Sequence, residues 1–176
     1  MATTGSPIPR IQIAQVDWTH PDSQLLRHMQ REEINAVFGL PNGGEPGIPP
    51  SAEDISVFLI AYILPINSAQ HGKPLPIACG ALRALPQSDD TPGDVEIKRM
   101  YVHRAYRGHP WNAAKAILSA LEDRARENGW IRVVLETGNL LTAAIRFYTR
   151  EGYVPVKKFG AYRDNEASLC FGKVLT

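Results

Sequence analysis

Apolar residues recur along this chain with two periods, and the changes between them divide it into strands and helices. Ile11 to Gln15 reads as a strand. Pro21 to Phe38 reads as a helix, with Pro21 suited to its first turn and Gly39 to its end. Leu40 to Ser51 contains Pro41, Pro46, Pro49 and Pro50 together with three glycines, a composition that holds neither a helix nor a central strand. It is expected to be a loop that shapes an entrance. Two apolar, β-branched runs follow, Ile55 to Leu64 and Leu75 to Leu85, separated by polar residues with Pro65, Gly72 and Pro74, and they predict an antiparallel pair. Asp94 to Val102 is the next strand, after the turn Asp90-Thr91-Pro92-Gly93.

From Asn112 to Asn128 the apolar positions Ala114, Ile117, Leu118, Leu121 and Ala125 form one helical stripe, and Gly129 ends it. Glu122 and Arg126, one turn apart, are expected on the outer face as a supporting ion pair. Ile131 to Leu135 is apolar on both faces, as a strand buried in a parallel sheet is. Thr142 to Arg150 is a further helix carrying Ala144, Ile145 and Tyr148, closed by Gly152, and Tyr153 to Val156 and Ser168 to Val174 finish the chain as strands.

This alternation, in 176 residues of which 44% are hydrophobic, predicts one mixed α/β domain over 1–176, with residues 1–9 a flexible N-terminus. The longest apolar stretch, Val57 to Leu64, falls well short of the roughly 18 residues a membrane span needs. The first residues lack the basic and apolar regions of a secretory signal, so the cytoplasm is the expected address. A net charge of +1 gives no global field to attract nucleic acid or a membrane. Two cysteines, Cys79 and Cys170, make neither a disulfide framework nor a metal cluster, and no metal is expected.

The chemistry concentrates where a strand passes through a basic loop into the helix at Asn112. Between Ile97 and Lys115 there is no acidic residue, while Lys98, Arg99, Arg104, Arg107 and Lys115 are cationic. Such a cluster at a helix N-terminus suits a phosphate, because unpaired N–H groups and the positive end of the dipole converge there. A solvated basic loop with an ordinary cap fits the same residues.

With Gly80-Ala81-Leu82-Arg83, Glu96 to Val102, Arg107-Gly108, Ala116-Ile117-Leu118, Leu135-Glu136-Thr137-Gly138, Ala144 to Tyr148, Gly152-Tyr153 and Phe159-Gly160 in this order, the sequence resembles the GNAT N-acetyltransferase superfamily. The resemblance extends from about Ile77 to the C-terminus, and it implies a mostly antiparallel central sheet of about seven strands, flanked by helices and splayed between its fourth and fifth strands. It implies acetyl-coenzyme A as cosubstrate. The pantetheine arm would pair with Met100, Tyr101 and Val102, and the pyrophosphate would lie on Arg107, Gly108, His109, Trp111, Asn112, Ala113, Ala114 and Lys115. Tyr148 would contact the cofactor and protonate its departing thiolate, Glu96 would be the general base, and Asn139 would bond cofactor or substrate.

The residues by themselves leave other roles open. Tyr148 also reads as a core aromatic, Glu96 as the partner of Lys98 or Arg99, Trp111 as a staple onto the helix, and Asn139 as a turn residue. The family's loop reads Arg-Gly-x-Gly-x-Gly or Ala, whereas here Asn112 replaces the central glycine and Pro110 offers no N–H. Asparagine tolerates the left-handed backbone that such a turn needs. The function implied is acetyl transfer to a primary amine of a small molecule or peptide by direct attack. A weakly active coenzyme A-binding module and an interaction protein using the Leu40 to Ser51 loop are the rival readings, and association as a homodimer is left open.

Overall fold

The computed structural model describes residues 10–65, 72–86 and 93–176, so residues 1–9 and Asp90-Thr91-Pro92 of the expected turn lie outside the described residues. Its elements run β1 (Ile11–Gln15), α1 (Pro21–Phe38), β2 (Ile55–Ile63), β3 (Leu75–Ala84), β4 (Asp94–Val102), α2 (Ala113–Glu127), β5 (Arg132–Gly138), α3 (Thr142–Arg150), β6 (Val154–Pro155) and β7 (Ser168–Val174). The strands make one sheet in the order β1-β2-β3-β4-β5-β7-β6. Every neighbouring pair is antiparallel except β4 with β5.

Side-chain alternation assigns the two faces. In β2, Val57, Leu59 and Ala61 join the core beneath α2, while Phe58 and Ile60 join Leu26 of α1 on the opposite face. Both faces of β2 are thus covered, which is why it reads as a continuous apolar run. On α2, Ile117 and Leu121 are fully buried, and removing either side chain would cost about 2–5 kcal/mol. Ala113 is buried more completely than Ala114, which rotates the expected stripe slightly at its start. Glu122 corrects the expectation of an outer-face pair. It is buried, accepts hydrogen bonds from the Tyr153 hydroxyl at 3.0 Å and Lys173 Nζ at 3.0 Å, and meets Arg126 only at 3.9 Å.

The connection Leu40 to Ser51 is a loop apart from one short turn at Pro41–Gly44. α1 starts at His20, whose Nδ1 accepts from the Asp22 N–H at 3.2 Å, and stops at Gly39 in the left-handed region with φ 65°. That stop aims the loop across the sheet toward the far half of β4.

β4 and β5 pair only from Asp94–Arg132 to Ile97–Leu135. The paired end is clamped by a forked ion pair, Arg132 Nε to Asp94 Oδ1 at 2.8 Å and Nη2 to Oδ2 at 2.5 Å. Beyond Ile97 the strand partner of β4 is β3 alone among the described residues, and beyond Leu135 that of β5 is β7 alone. The parting coincides with a bulge in β4: two steps along β3 from Cys79 to Ala81 span three along β4 from Tyr101 to Lys98, and Arg99 takes up the extra residue at φ 57°. A non-glycine residue at positive φ costs on the order of 1 kcal/mol, so this local strain is balanced by what the bulge positions.

Candidate active site

The parted strands enclose a cleft. β4 contributes Ile97 to Met100, β5 contributes Glu136 to Gly138, and α1, the loop at Glu45, α3 and the stretch before β7 complete the walls. In an antiparallel ladder alternate residues turn their N–H and C=O groups to the same side. The carbonyls of Met100 and Val102 are met by Gln30 Nε2 and Arg107 Nε, each at 2.9 Å, rather than by β3. These two residues therefore present the free edge of β4 to the gap, and the Val102 N–H lies on that edge.

Past the free edge of β4 the chain runs through the basic loop into the start of α2. His103 Nδ1 accepts from the Ala105 N–H at 3.2 Å, and Trp111 packs edge-on to Tyr106 with centroids 5.2 Å apart. Asn112 adopts φ 47°, ψ 31°, and its side chain makes no cap bond. The first N–H groups of a helix have no intrahelical acceptor, so those of Ala113, Ala114 and Lys115 are open to an anion. Gly108 is also left-handed, at φ 74°, with open space where a side chain would begin. The loop's cations are partly engaged: Arg107 donates to both Glu33 oxygens at 2.8 and 2.9 Å, and Arg104 donates to Glu33 at 3.1 Å. Lys115 is exposed, 4.0 Å from Glu151.

Tyr148 lines the cleft from α3, packed edge-on to Phe147 and Tyr153. Burial raises its hydroxyl above the ordinary phenol range, and no hydrogen bond engages that hydroxyl among the described residues. Glu96 is placed differently. It is 0% exposed, does not line the cleft, and accepts from Arg83 at 2.9 and 3.0 Å and from the Tyr162 hydroxyl at 2.7 Å. Lys98 stands 3.7 Å away and itself donates to Tyr162 at 2.8 Å. Asn139 is exposed, and its N–H bonds the Ala167 carbonyl at 2.8 Å, closing the turn after β5.

The carboxylates that do reach the cleft are Glu136 and Glu45. Glu136 accepts from the Ser168 hydroxyl at 2.6 Å, and burial raises its carboxyl above the usual range against the lowering influence of Ser168 and Lys98. Burial alone would also raise Glu45, but Lys98 and Arg99, both bonded to it, outweigh that and hold it low. Two buried polar atoms of the cleft have no partner among the described residues, Gln30 Oε1 and Arg99 Nε. Neither Glu45 nor Gln30 carries a mark in the sequence, since nothing local to loop or helix reports what a bulge on β4 turns toward them. Glu136 does carry one, a carboxylate following the apolar run of β5. Cys79 is buried against the Arg99 carbonyl, and burial pushes its thiol up to about 12. A thiol held protonated in this way is a poor nucleophile.

A family profile for the acetyltransferase (GNAT) family matches residues 53–153, the part of the chain that carries β4, the loop, α2, β5 and α3. The chain belongs to the GNAT acetyltransferase family. An IAA acetyltransferase of Azospirillum brasilense is 32% identical to this GNAT chain over 99 residues, which make up 56% of the chain and 61% of that protein. The match thus spans about three fifths of that relative's length. A Klebsiella pneumoniae structure assigned as an acyl-CoA N-acyltransferase superposes with a TM-score of 0.69 at 26% identity, covering 94% of this chain and 98% of the other. The PaiA N-acetyltransferase of Thermoplasma acidophilum, solved with coenzyme A, shares the fold with a TM-score of 0.60 at 16% identity over 94% and 99% of the two chains. Among the described residues of this GNAT protein, no helix is long and apolar enough to cross a membrane.

Proposed function

We propose that this GNAT protein transfers an acetyl group from acetyl-coenzyme A to a primary amine of a small molecule or peptide. The observation that carries the reading is the parting of β4 from β5 after Ile97 and Leu135, which opens a cleft lined by the buried phenol of Tyr148, while the free end of β4 runs on through the basic loop to an uncapped helix start. The residues present fit the cofactor. The free edge at Met100, Tyr101 and Val102 would hold the pantetheine amides, and the N–H groups of Ala113, Ala114 and Lys115 would take the pyrophosphate, framed by Arg107 to Asn112. Asn112 occupies the left-handed position of the missing glycine, so the turn is kept although Pro110 lacks a donor.

Acetyl-coenzyme A supplies a thioester carbonyl open to attack by an uncharged amine. The chain supplies the rest. The Val102 N–H, on the free edge, can stabilise negative charge developing on an acyl oxygen. Tyr148 keeps its proton at neutral pH and holds it at the hydroxyl for a leaving group. Glu136 is the carboxylate in the cleft whose raised pKa suits removal of a proton from an incoming ammonium. Glu96, enclosed by Arg83 and Tyr162, supports this arrangement through Lys98 rather than by meeting substrate.

Release of free thiol from acetyl-coenzyme A, followed across a panel of primary amines together with the mass of the product, tests the reading. Amine-dependent thiol release with a product heavier by one acetyl group is expected. Thiol release that ignores the amine, or none with any amine, would contradict it.

A further inference from the structure

In the proposed reaction the wall formed by α1, the loop at Glu45 and the Lys98–Arg99 stretch of β4 is the acceptor wall, and it holds more charge than proton transfer requires. Lys98 and Arg99 are both largely buried there, and a cation withdrawn from water needs a counter-anion. Glu45 supplies it. Its carboxylate bonds Lys98 Nζ and, at 3.1 Å, Arg99 Nη1. The Arg99 fork is only half used, because its Nε is buried with no partner among the described residues. A carboxylate that met the guanidinium through Nε and a terminal nitrogen together would satisfy it better. The strained bulge at φ 57° is what puts this side chain on the acceptor wall.

Glu45 is also poorly anchored for a structural residue. It sits between Gly44 at φ 70° and Gly47 at φ 83°, in a loop rich in proline and glycine, so its departure would disturb no strand or long helix. On the same wall, Gln30 Oε1 is a buried acceptor with no donor among the described residues, and Glu136 is a carboxylate that feels both Lys98 and Glu45. The cleft therefore offers cations in one place and hydrogen-bond acceptors in another, with Ile34 and Phe38 as apolar cover.

We propose that Lys98 and Arg99 form a carboxylate subsite on the acceptor wall, that Glu45 occupies it when no acceptor is bound, and that the acceptor is an amine that also carries a carboxylate, as an amino acid does. The ammonium end meets Glu136 and Gln30, the carboxylate end displaces Glu45, and the half-used fork of Arg99 becomes bidentate. The inference rests on the amine-acetylation reading for its chemistry, but the subsite can be tested without turnover.

The probes are N-acetylphenylalanine and N-acetylleucine, each compared with its carboxamide by calorimetry on the full chain without acetyl-coenzyme A. The wild type is expected to bind the acids at least about tenfold more tightly than the amides. Glu45→Gln removes the competing carboxylate, so the acids should tighten by a further tenfold or so and the amides should show no such gain. Arg99→Gln should abolish the preference for acids. Equal binding of acids and amides by the wild type would overturn the subsite, as would acid affinity that Glu45→Gln leaves unchanged or weakens. The wild-type comparison decides the matter even if a variant fails to fold. Selective acid binding without amine-dependent thiol release would leave the subsite standing and sink the acetylation reading. Thiol release with amines but no preference for acids would do the reverse.

Discussion

Tyr148 and Glu136 approach one cleft from opposite faces of the sheet, and burial shifts both in the same direction. The same cause serves opposite roles: a phenol made weaker stays an acid at neutral pH, and a carboxyl made weaker becomes a more effective base. Tyr148→Phe removes one hydroxyl from a residue whose ring packing stays intact. Turnover should fall by about 10²–10⁴-fold with coenzyme A affinity retained, read by steady-state kinetics and calorimetry. Unchanged turnover would return Tyr148 to the core. With Glu136 as the proposed base, its ionised form would be the active one, so kcat/KM should rise with pH through a value above the ordinary carboxylate range. Glu136→Gln should lower it by a similar factor and abolish that limb of the pH profile. A variant keeping the limb would show that another group titrates. The sequence pointed to Glu96 because of its place on β4, but it could not show that Tyr162, 66 residues further on, and Arg83 would enclose it.

The elements themselves were legible because their punctuation is local. Gly39 at φ 65° stops α1, Gly129 at φ 78° follows α2, and Gly152 at φ 90° follows α3, each where the apolar pattern breaks. Contacts between distant elements left no such trace. Glu122 looks like a solvated helix residue until β7 brings Lys173 and the turn after α3 brings Tyr153. The bulge at Arg99 has no glycine on its own strand; its mark is Gly80 across on β3, where the register shifts and a Cβ would meet Met100 Sδ at 2.9 Å. At the mouth of the cleft, Gly138 ends β5 beneath the ring of Phe38, and a Cβ there would lie 2.4 Å from the ring. Gly138→Ala must therefore displace the Phe38 ring from the mouth of the cleft. Denaturant unfolding should show a loss of about 1–3 kcal/mol, and the KM for the acceptor should change more than that for acetyl-coenzyme A. Wild-type stability in this variant would mean that Phe38 does not pack closely there.

For the molecule as a whole, ion pairs tie α1 and its following loop to β4 and the segment beyond it. Glu33 holds Arg104 and Arg107, Glu45 holds Lys98 and Arg99, and in both carboxylates these partners outweigh burial and lower the pKa. A lowered folded-state value adds stability that is complete above the unfolded carboxylate range, near pH 4, and is lost as pH falls through the folded value. Glu136 works the other way: its raised value favours the fold at low pH and that contribution fades as pH rises. The melting temperature should therefore drop on acidification below about pH 4, and Glu33→Gln with Glu45→Gln should flatten the drop. An equally steep decline in the double variant would remove these pairs from the acid response. If the gap between β4 and β5, with the start of α2, holds coenzyme A, amide hydrogen exchange with and without coenzyme A will read it segment by segment. Added coenzyme A should slow exchange at Met100 to Val102 and at Ala113 to Lys115 together; protection confined to other segments, or none at saturating coenzyme A, would contradict it.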